Sequence, residues 1–137
     1  YDVSSSDELL ELRQILDEST VQLAMSKITP EEVEKLQHSI DKMKDACKNQ
    51  DVEQMQTCDL EFHMLLIDSC KNIFFIRILK SVYSIFEKSI VENVRKETVD
   101  SKAPLYHQRI LDCIVNKDYN TVHEVVAESL ATWRERV

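Results

Sequence analysis

The sequence contains no glycine and only two prolines, where average usage would give on the order of ten and seven. β-Hairpin turns need residues at positive φ, and Rossmann and P-loop phosphate loops need close backbone approach, so both usually contain glycine. The absence of glycine therefore argues against hairpins and against glycine-rich nucleotide loops, and few tight turns are expected. The composition predicts an all-α chain.

Positive charge is also scarce. The 137 residues include 17 Lys and Arg against 25 Asp and Glu, which gives a formal net charge of −8. This is the wrong sign for direct binding to nucleic acid or anionic lipid. No apolar run approaches the roughly 20 residues of a membrane span, and the residues that follow Tyr1 do not form a signal peptide. We expect a soluble domain with no membrane partner.

The four cysteines form no C-x-x-C pair and lie within amphipathic patterns. This spacing favours buried, reduced thiols over disulfides or a zinc knuckle, and it favours a cytoplasmic location. With 43% hydrophobic residues, the chain can bury one sizeable core. We expect a single domain over residues 1–137. Because the chain starts at Tyr1 instead of Met, we also expect it to be a fragment that lacks an N-terminal part.

Apolar spacing and capping residues predict six antiparallel helices joined by mostly short connections. Thr29 and Glu32 have capping-box spacing, with Pro30 at the first helical position. The run after Asn72 is apolar around most of a helix, which predicts that the fourth helix is central. The first predicted helix runs from Ser5 or Ser6 to about Lys27, the second from Pro30 to a break at Asn49, and the third from its cap Asp51 to about Cys70. The fourth begins after its cap Asn72 and is followed by a long loop over Arg95 to Ala103. The fifth runs from Pro104 to about Asn116, and the sixth begins after a cap at Asp118 or Asn120.

Three potential metal ligands fall on the apolar stripes of two predicted helices. Asp59 and His63 lie four residues apart on the third helix, a spacing that places a carboxylate and an imidazole side by side. His107 shares the buried stripe of the fifth helix with Ile110 and Leu111. A hydrogen-bonded Asp–His pair and a core histidine that donates to a backbone carbonyl would produce the same pattern. Both interpretations stay open at this point.

Arg13 is a charged residue on the apolar stripe of the first helix, so its guanidinium must reach an anion or solvent. It could pair at the rim of the bundle with Asp17, one turn further on. It could instead anchor the carboxylate of a ligand. His38 and His123 have polar neighbours, and we assign them no role.

The sequence shows no nucleophile–base pair, since no cysteine or serine has a histidine at a diagnostic spacing. We therefore expect a chain that is not an enzyme. A metal-dependent hydrolase remains an alternative, because a three-ligand metal can hold an activated water. A ligand-free helical dimerisation module is a third alternative. It predicts a dry apolar centre. The polar residues on the buried stripes argue against this alternative.

Four segments carry a recognisable pattern along the chain. They are Glu11 to Asp17 (ELRQILD), Asp59 to His63 (DLEFH), Ser69 to Asn72 (SCKN) and His107 to Ile114 (HQRILDCI). Taken together and in this order, they resemble the FCD domain, the C-terminal effector-binding domain of many GntR-type bacterial transcription regulators. D-x-x-F-H and H-x-x-I-L-x-x-I are the most specific elements of the resemblance, which covers nearly the whole chain.

The resemblance implies an antiparallel bundle of six or seven helices around a central ligand cavity. It also implies that a winged-helix domain precedes this one in the full-length protein. DNA would be bound only by that domain. We expect a homodimer whose effector is a small organic acid, held through a divalent metal or Arg13, and we include Asn72 among the candidate ligand-binding residues.

In metal-containing members of the family, an aspartate and three histidines bind a divalent cation. Asp59, His63 and His107 match the first three ligands. Ser129 stands where the fourth histidine is expected, and serine is a poor ligand for Zn²⁺, Ni²⁺ or Mn²⁺. We therefore expect a three-ligand metal site with an open position near Ser129, where a ligand carboxylate or water would bind.

Overall fold

The computed structural model describes the backbone of residues 7–97 and 102–135, and the side chains of residues 7–85 and 102–131. Over these ranges the chain is all-helical, with six α-helices and one short 3₁₀ turn, which confirms the predicted fold class. The α-helices are α1 (Asp7–Lys27), α2 (Pro30–Lys48), α3 (Val52–Asp68), α4 (Ile73–Glu97), α5 (Ala103–Val115) and α6 (Val122–Glu135), and the 3₁₀ turn at Tyr119–Thr121 precedes α6.

The predicted capping residues begin three of these helices. Thr29 and Glu32 form a reciprocal capping box, in which each side chain accepts a hydrogen bond from the other residue's backbone N–H. The Asp51 side chain accepts from the backbone N–H of Gln54 at the start of α3. The Asn72 side chain accepts from the first turn of α4, at 3.1 Å. The predicted cap at Ser5 lies outside the described residues.

Three helices end in tight turns, although the chain has no glycine. Gln50, Lys71 and Lys117 follow α2, α3 and α5 at φ values of 53°, 58° and 51°. The turn after α5 is closed by bonds from the Lys117 and Asp118 N–H groups to carbonyls of the last helical turn, at 3.1 and 3.0 Å. This is the position that glycine usually fills, because a Cβ atom makes the left-handed conformation unfavourable. The expectation of few tight turns was therefore wrong.

The main hydrophobic core lies between α1, α2, α3, α5 and α6, where Phe62 and Val126 are fully buried. A smaller core joins Leu9 and Leu10 of α1 to Ile67 of α3 and to Leu79 of α4. The α3 helix packs against α2 and α4, and α5 packs against α2 and α6. The α1 helix packs mainly against α6, and not against α2, which follows it in the chain. No described helix combines the length and apolar composition that crossing a bilayer requires.

The fourth helix is not the central one, contrary to the sequence prediction. Leu79 and Tyr83 of α4 face the smaller core, whereas Phe74 and Ile78 point away from it and are 73% and 57% exposed. The apolar pattern around α4 therefore includes an unburied face as well as a buried one. The predicted loop from Arg95 was also placed too early, since α4 continues to Glu97.

We predict that replacing a left-handed residue by glycine stabilises the fold. Lys117→Gly and Gln50→Gly should each raise the free energy of unfolding by about 0.5–1 kcal/mol, because glycine removes the steric cost of positive φ. Urea denaturation measures the change. Lys44→Gly, inside α2, is the matched control and should lower stability by about 1 kcal/mol. Destabilisation by both turn variants would contradict the assigned backbone conformation.

Candidate metal and ligand site

The bundle encloses a cavity bounded by α1, α3, α4, α5 and α6. Counted together with the solvent at its open mouth, the space not filled by protein atoms is about 770 Å³. Most of its walls are apolar, and Leu66, Leu79 and Ile110 are typical of them. The charged, imidazole and serine side chains that line it are Arg13, Asp17, Asp59, His63, His107 and Ser129.

Asp59, His63 and His107 meet at one point of this cavity and are called the Asp–His cluster below. One ligand atom from each residue lies within 4.8 Å of those of the other two. Asp59 Oδ1 is 2.9 Å from His107 Nε2 and 3.4 Å from His63 Nε2. The i, i+4 spacing on α3 aligns Asp59 with His63, and the packing of α5 brings in His107.

Aromatic neighbours fix the orientation of both imidazole rings. The ring of Phe62 stacks on His107, with centroids 4.1 Å apart and planes 6° from parallel. Phe62 also meets His63 edge to face, at 5.9 Å. The ring of Tyr83 lies 5.5 Å from that of His63 on the other side. The two histidines are therefore held by packing as well as by Asp59.

The protonation states of the Asp–His cluster follow from burial and from these contacts. Burial acts to raise the pKa of Asp59, but hydrogen bonds from His107 and His63 outweigh it and lower that pKa. Burial lowers the pKa of His63, against the opposing effect of Asp59. At neutral pH, Asp59 is ionised and His63 is neutral, and these are the forms that coordinate metal ions.

Arg13 is buried and lies inside the cavity, where its Nη2 atom is 2.9 Å from Asp17 Oδ2. Its guanidinium carbon is 5.9 Å from the ring centroid of Tyr83. Burial acts to lower the pKa of Arg13, but the negative charge of Asp17 outweighs it and raises that pKa. The structure therefore contains the expected Arg13–Asp17 pair, located in the cavity wall and not at an exposed rim.

The structure places Ser129 and Asn72 differently. Ser129 lines the cavity, and its hydroxyl donates to the carbonyl of Val126 at 2.8 Å. Asn72 is exposed, caps α4 and is not among the residues that line the cavity. His38 and His123 are exposed, as expected. The cavity thus brings together five of the six candidate site residues, all except Asn72.

Sequence reasoning missed several residues of the cavity wall. Tyr83 contacts both His63 and Arg13. In the sequence, the start of α4 is apolar around most of the helix, so this pattern does not assign one side of the helix, and with it Tyr83, to the cavity. Thr20 and Tyr106 also line the cavity. Tyr106 could have been noticed because it precedes His107. Asp17 was considered only as a partner of Arg13, although it faces the same cavity.

The cysteines offer neither ligands nor nucleophiles to this site. All four are free, and none lines the cavity. Burial raises the pKa of Cys70 to about 12, and it also raises the pKa values of Cys58 and Cys113. These three side chains therefore remain thiols at neutral pH, and the thiolate is the form that attacks substrates and binds metals.

The Asp–His cluster has the chemistry of a divalent metal site. Two imidazole nitrogens and one carboxylate oxygen suit Zn²⁺ and related cations, and three protein ligands leave one position open. The surrounding aromatic rings and ionised Asp59 supply the orientation and charge that such a site needs. The residues present therefore fit a metal ion, and they also form a hydrogen-bonded network without one.

Comparison with known proteins agrees with the all-helical fold. The family model for the FCD domain matches residues 8–132. An uncharacterized HTH-type transcriptional regulator, YcbG of Bacillus subtilis, is 26% identical over 132 residues, which are 94% of this chain and 53% of the relative. The chain therefore spans about half the length of this curated relative.

A solved structure titled Streptococcus agalactiae GntR has the same fold. It superposes with a TM-score of 0.76 at 22% identity, and the match covers 98% of this chain and 59% of that one. The Bacillus subtilis relative is named as a transcriptional regulator, and the family model that matches is that of the FCD domain, in agreement with the expectation that the chain is not an enzyme. Since the family model spans nearly all of the sequence, the chain belongs to the FCD domain family.

Proposed function

We propose that this chain is the ligand-sensing domain of a GntR-type transcription regulator. The observation that carries the proposal is the cavity, in which the Asp–His cluster and Arg13 face a mostly apolar interior. The family match and the regulator named among the relatives support it. With a net charge of −8, the chain is unsuited to binding DNA itself. In this proposal, DNA binding and a cytoplasmic location are properties of the full-length regulator of which this chain is one domain.

The ligand that fits this cavity is a small organic acid. Asp59, His63 and His107 would hold a divalent cation, either Zn²⁺, Ni²⁺ or Mn²⁺, in place of the protons that the histidines share with Asp59. The cation, when bound, supplies positive charge that attracts a carboxylate. Arg13 supplies a second positive charge within the same wall, and the apolar residues contact the rest of the ligand.

Sensing requires that the ligand favour one arrangement of the bundle over another. Five helices line the cavity, so a bound molecule contacts several elements at once. The resulting bias can be no larger than the difference in affinity between the two arrangements. A ligand-free dimerisation module fits the structure less well, because it gives no reason to bury Asp59 beside two histidines.

We predict that Zn²⁺ binding depends on the Asp–His cluster. Asp59→Asn and His107→Gln should each weaken Zn²⁺ binding at least about tenfold in calorimetric titrations of the chelator-treated chain. His38→Gln, on an exposed surface of α2, is the control and should bind as the parent does. Ser129→His should tighten binding, because an imidazole from α6 would fill the open position.

The result that contradicts the metal proposal is specific. If neither the parent nor Ser129→His takes up Zn²⁺, the Asp–His cluster is a hydrogen-bonded network and not a metal site. Equal affinity in both proteins would instead show that Ser129 does not reach the ion.

We predict that Arg13 contributes to carboxylate binding. Arg13→Gln should weaken the binding of succinate more than tenfold, because hydrogen bonds to charged groups contribute about 1.5–3 kcal/mol. Calorimetry gives the affinity, and a thermal melt confirms folding. Arg109→Gln removes an exposed guanidinium on α5 and serves as the control. Unchanged succinate affinity in folded Arg13→Gln would place the acid elsewhere.

We also propose that the chain forms a homodimer through α4. Phe74, Ile78 and Ile85 are exposed and recur on one side of this helix, with Ser81 between them. The occupant that suits this stripe is a second copy of the chain. A two-fold contact pairs a patch with itself, and an uncharged patch avoids the repulsion that two chains of charge −8 would otherwise suffer.

We predict that Ile78→Glu shifts the chain from dimer to monomer in sedimentation equilibrium, because the new carboxylates would face each other across the two-fold axis. Val115→Glu changes a similarly exposed aliphatic residue on α5 and should leave the dimer intact. A parent chain that is monomeric at high concentration would refute the interface, whereas equal dissociation by both variants would move it away from α4.

A further inference from the structure

Asp17 faces the cavity beside the group that is best suited to hold an acid. Its carboxylate joins Arg13 at 2.9 Å, and both residues line the same wall. Arg13 lies close enough to Asp59 and His63 for its charge to act on both of them. The pair and the Asp–His cluster are therefore parts of one continuous charged surface.

The charges on this surface do not favour a free anion. Among the described residues that line the cavity, the acidic side chains are Asp17 and Asp59, and the guanidinium is that of Arg13. Carboxylates therefore outnumber guanidinium groups in this wall by two to one. The guanidinium is already matched by Asp17 at hydrogen-bonding distance. A ligand carboxylate that approaches the Nη2 atom of Arg13 therefore competes with a carboxylate that the protein supplies.

Asp17 is also placed so that it can give up this contact. The side chain of Arg13 is 3% exposed, whereas that of Asp17 is 20% exposed. Breaking an ion pair costs less free energy when the released carboxylate is partly exposed to water than when it would stay buried and unpaired. Of the two partners, Asp17 is therefore the one that can move into solvent.

We propose that Asp17 is a built-in competitor that lowers the affinity of the cavity for acids, because a ligand carboxylate that binds the Nη2 atom of Arg13 must displace Asp17 from it. The inference rests on the proposed function of the cavity as an acid-binding site. It makes Asp17 a specificity-determining residue. The negative charge of Asp17 opposes each carboxylate of a ligand, so it selects against ligands with several of them. Neutral ligands are not affected.

The test compares affinities for a series of acids. Propionate, succinate and tricarballylate carry one, two and three carboxylates, and propionamide is the neutral counterpart. Each is titrated calorimetrically, with excess Zn²⁺ and with chelator, into the 137-residue chain and into Asp17→Asn. Asp17→Asn should bind succinate roughly tenfold more tightly, equivalent to about 1.4 kcal/mol. The gain should increase from propionate to tricarballylate and be absent for propionamide.

Two variants serve as controls. Asp17→Glu keeps the charge and should not gain affinity. Glu18→Gln removes a carboxylate from the same helix, at a residue that pairs with His123 outside the cavity, and should bind as the parent does. If Asp17→Asn does not fold, Asp17→Ser replaces it. In the parent, saturation with succinate should also shift the ¹³C resonance of the Asp17 carboxyl as it leaves Arg13.

The outcomes separate this inference from the proposed function. If the acids bind the parent and folded Asp17→Asn binds them equally or more weakly, Asp17 positions Arg13 and does not compete, so the inference fails while acid sensing stands. If the ¹³C resonance of the Asp17 carboxyl does not shift when the parent is saturated with succinate, the inference also fails while acid sensing stands. If none of the acids binds either protein, both proposals fail.

Discussion

The site depends on one buried negative charge, that of Asp59. A carboxylate removed from water is costly unless other groups compensate it, and here two histidines from different helices do so. Its partners must therefore stay in place, which fixes how α5 packs on α3. Phe62 strengthens this constraint because it stacks on His107 from α3. The same contacts that balance the charge also fix the positions of the two imidazoles that the proposed cation would need.

The buried charge of Arg13 is also balanced by a residue of the protein itself. Arg13 is buried, and Asp17 provides its counter-charge from the next turn of α1. Tyr83 contacts Arg13 on one side and His63 on the other, so α4 links the two charged groups. Among the described residues of this wall, Arg13, Asp17 and Asp59 thus each have a partner within the protein. On the proposed function, a ligand that binds at this wall would exchange partners with these residues.

The sequence predicted whatever depends on local spacing. The i, i+4 rule placed Asp59 beside His63, and capping chemistry placed the starts of α2 and α3. Two features could not be predicted in this way. The exposed side of α4 carries Phe74 and Ile78, so apolar residues in its first turns do not by themselves mark the buried side. The turns at Gln50 and Lys117 use a conformation that their side chains disfavour, so residue preferences give no local signal for them.

The position of α1 suggests how partner exchange in the cavity reaches other elements. Arg13 and Asp17 face the cavity, while the adjacent residues Gln14 and Glu18 hydrogen-bond to His123 of α6 on the outer side. One turn of a rigid helix therefore carries both the internal ion pair and the link to α6. On the proposed function, a rotation of α1 that followed the separation of Arg13 from Asp17 would change both sets of bonds together. Coupling between cavity and surface thus needs only a single helix with two positions.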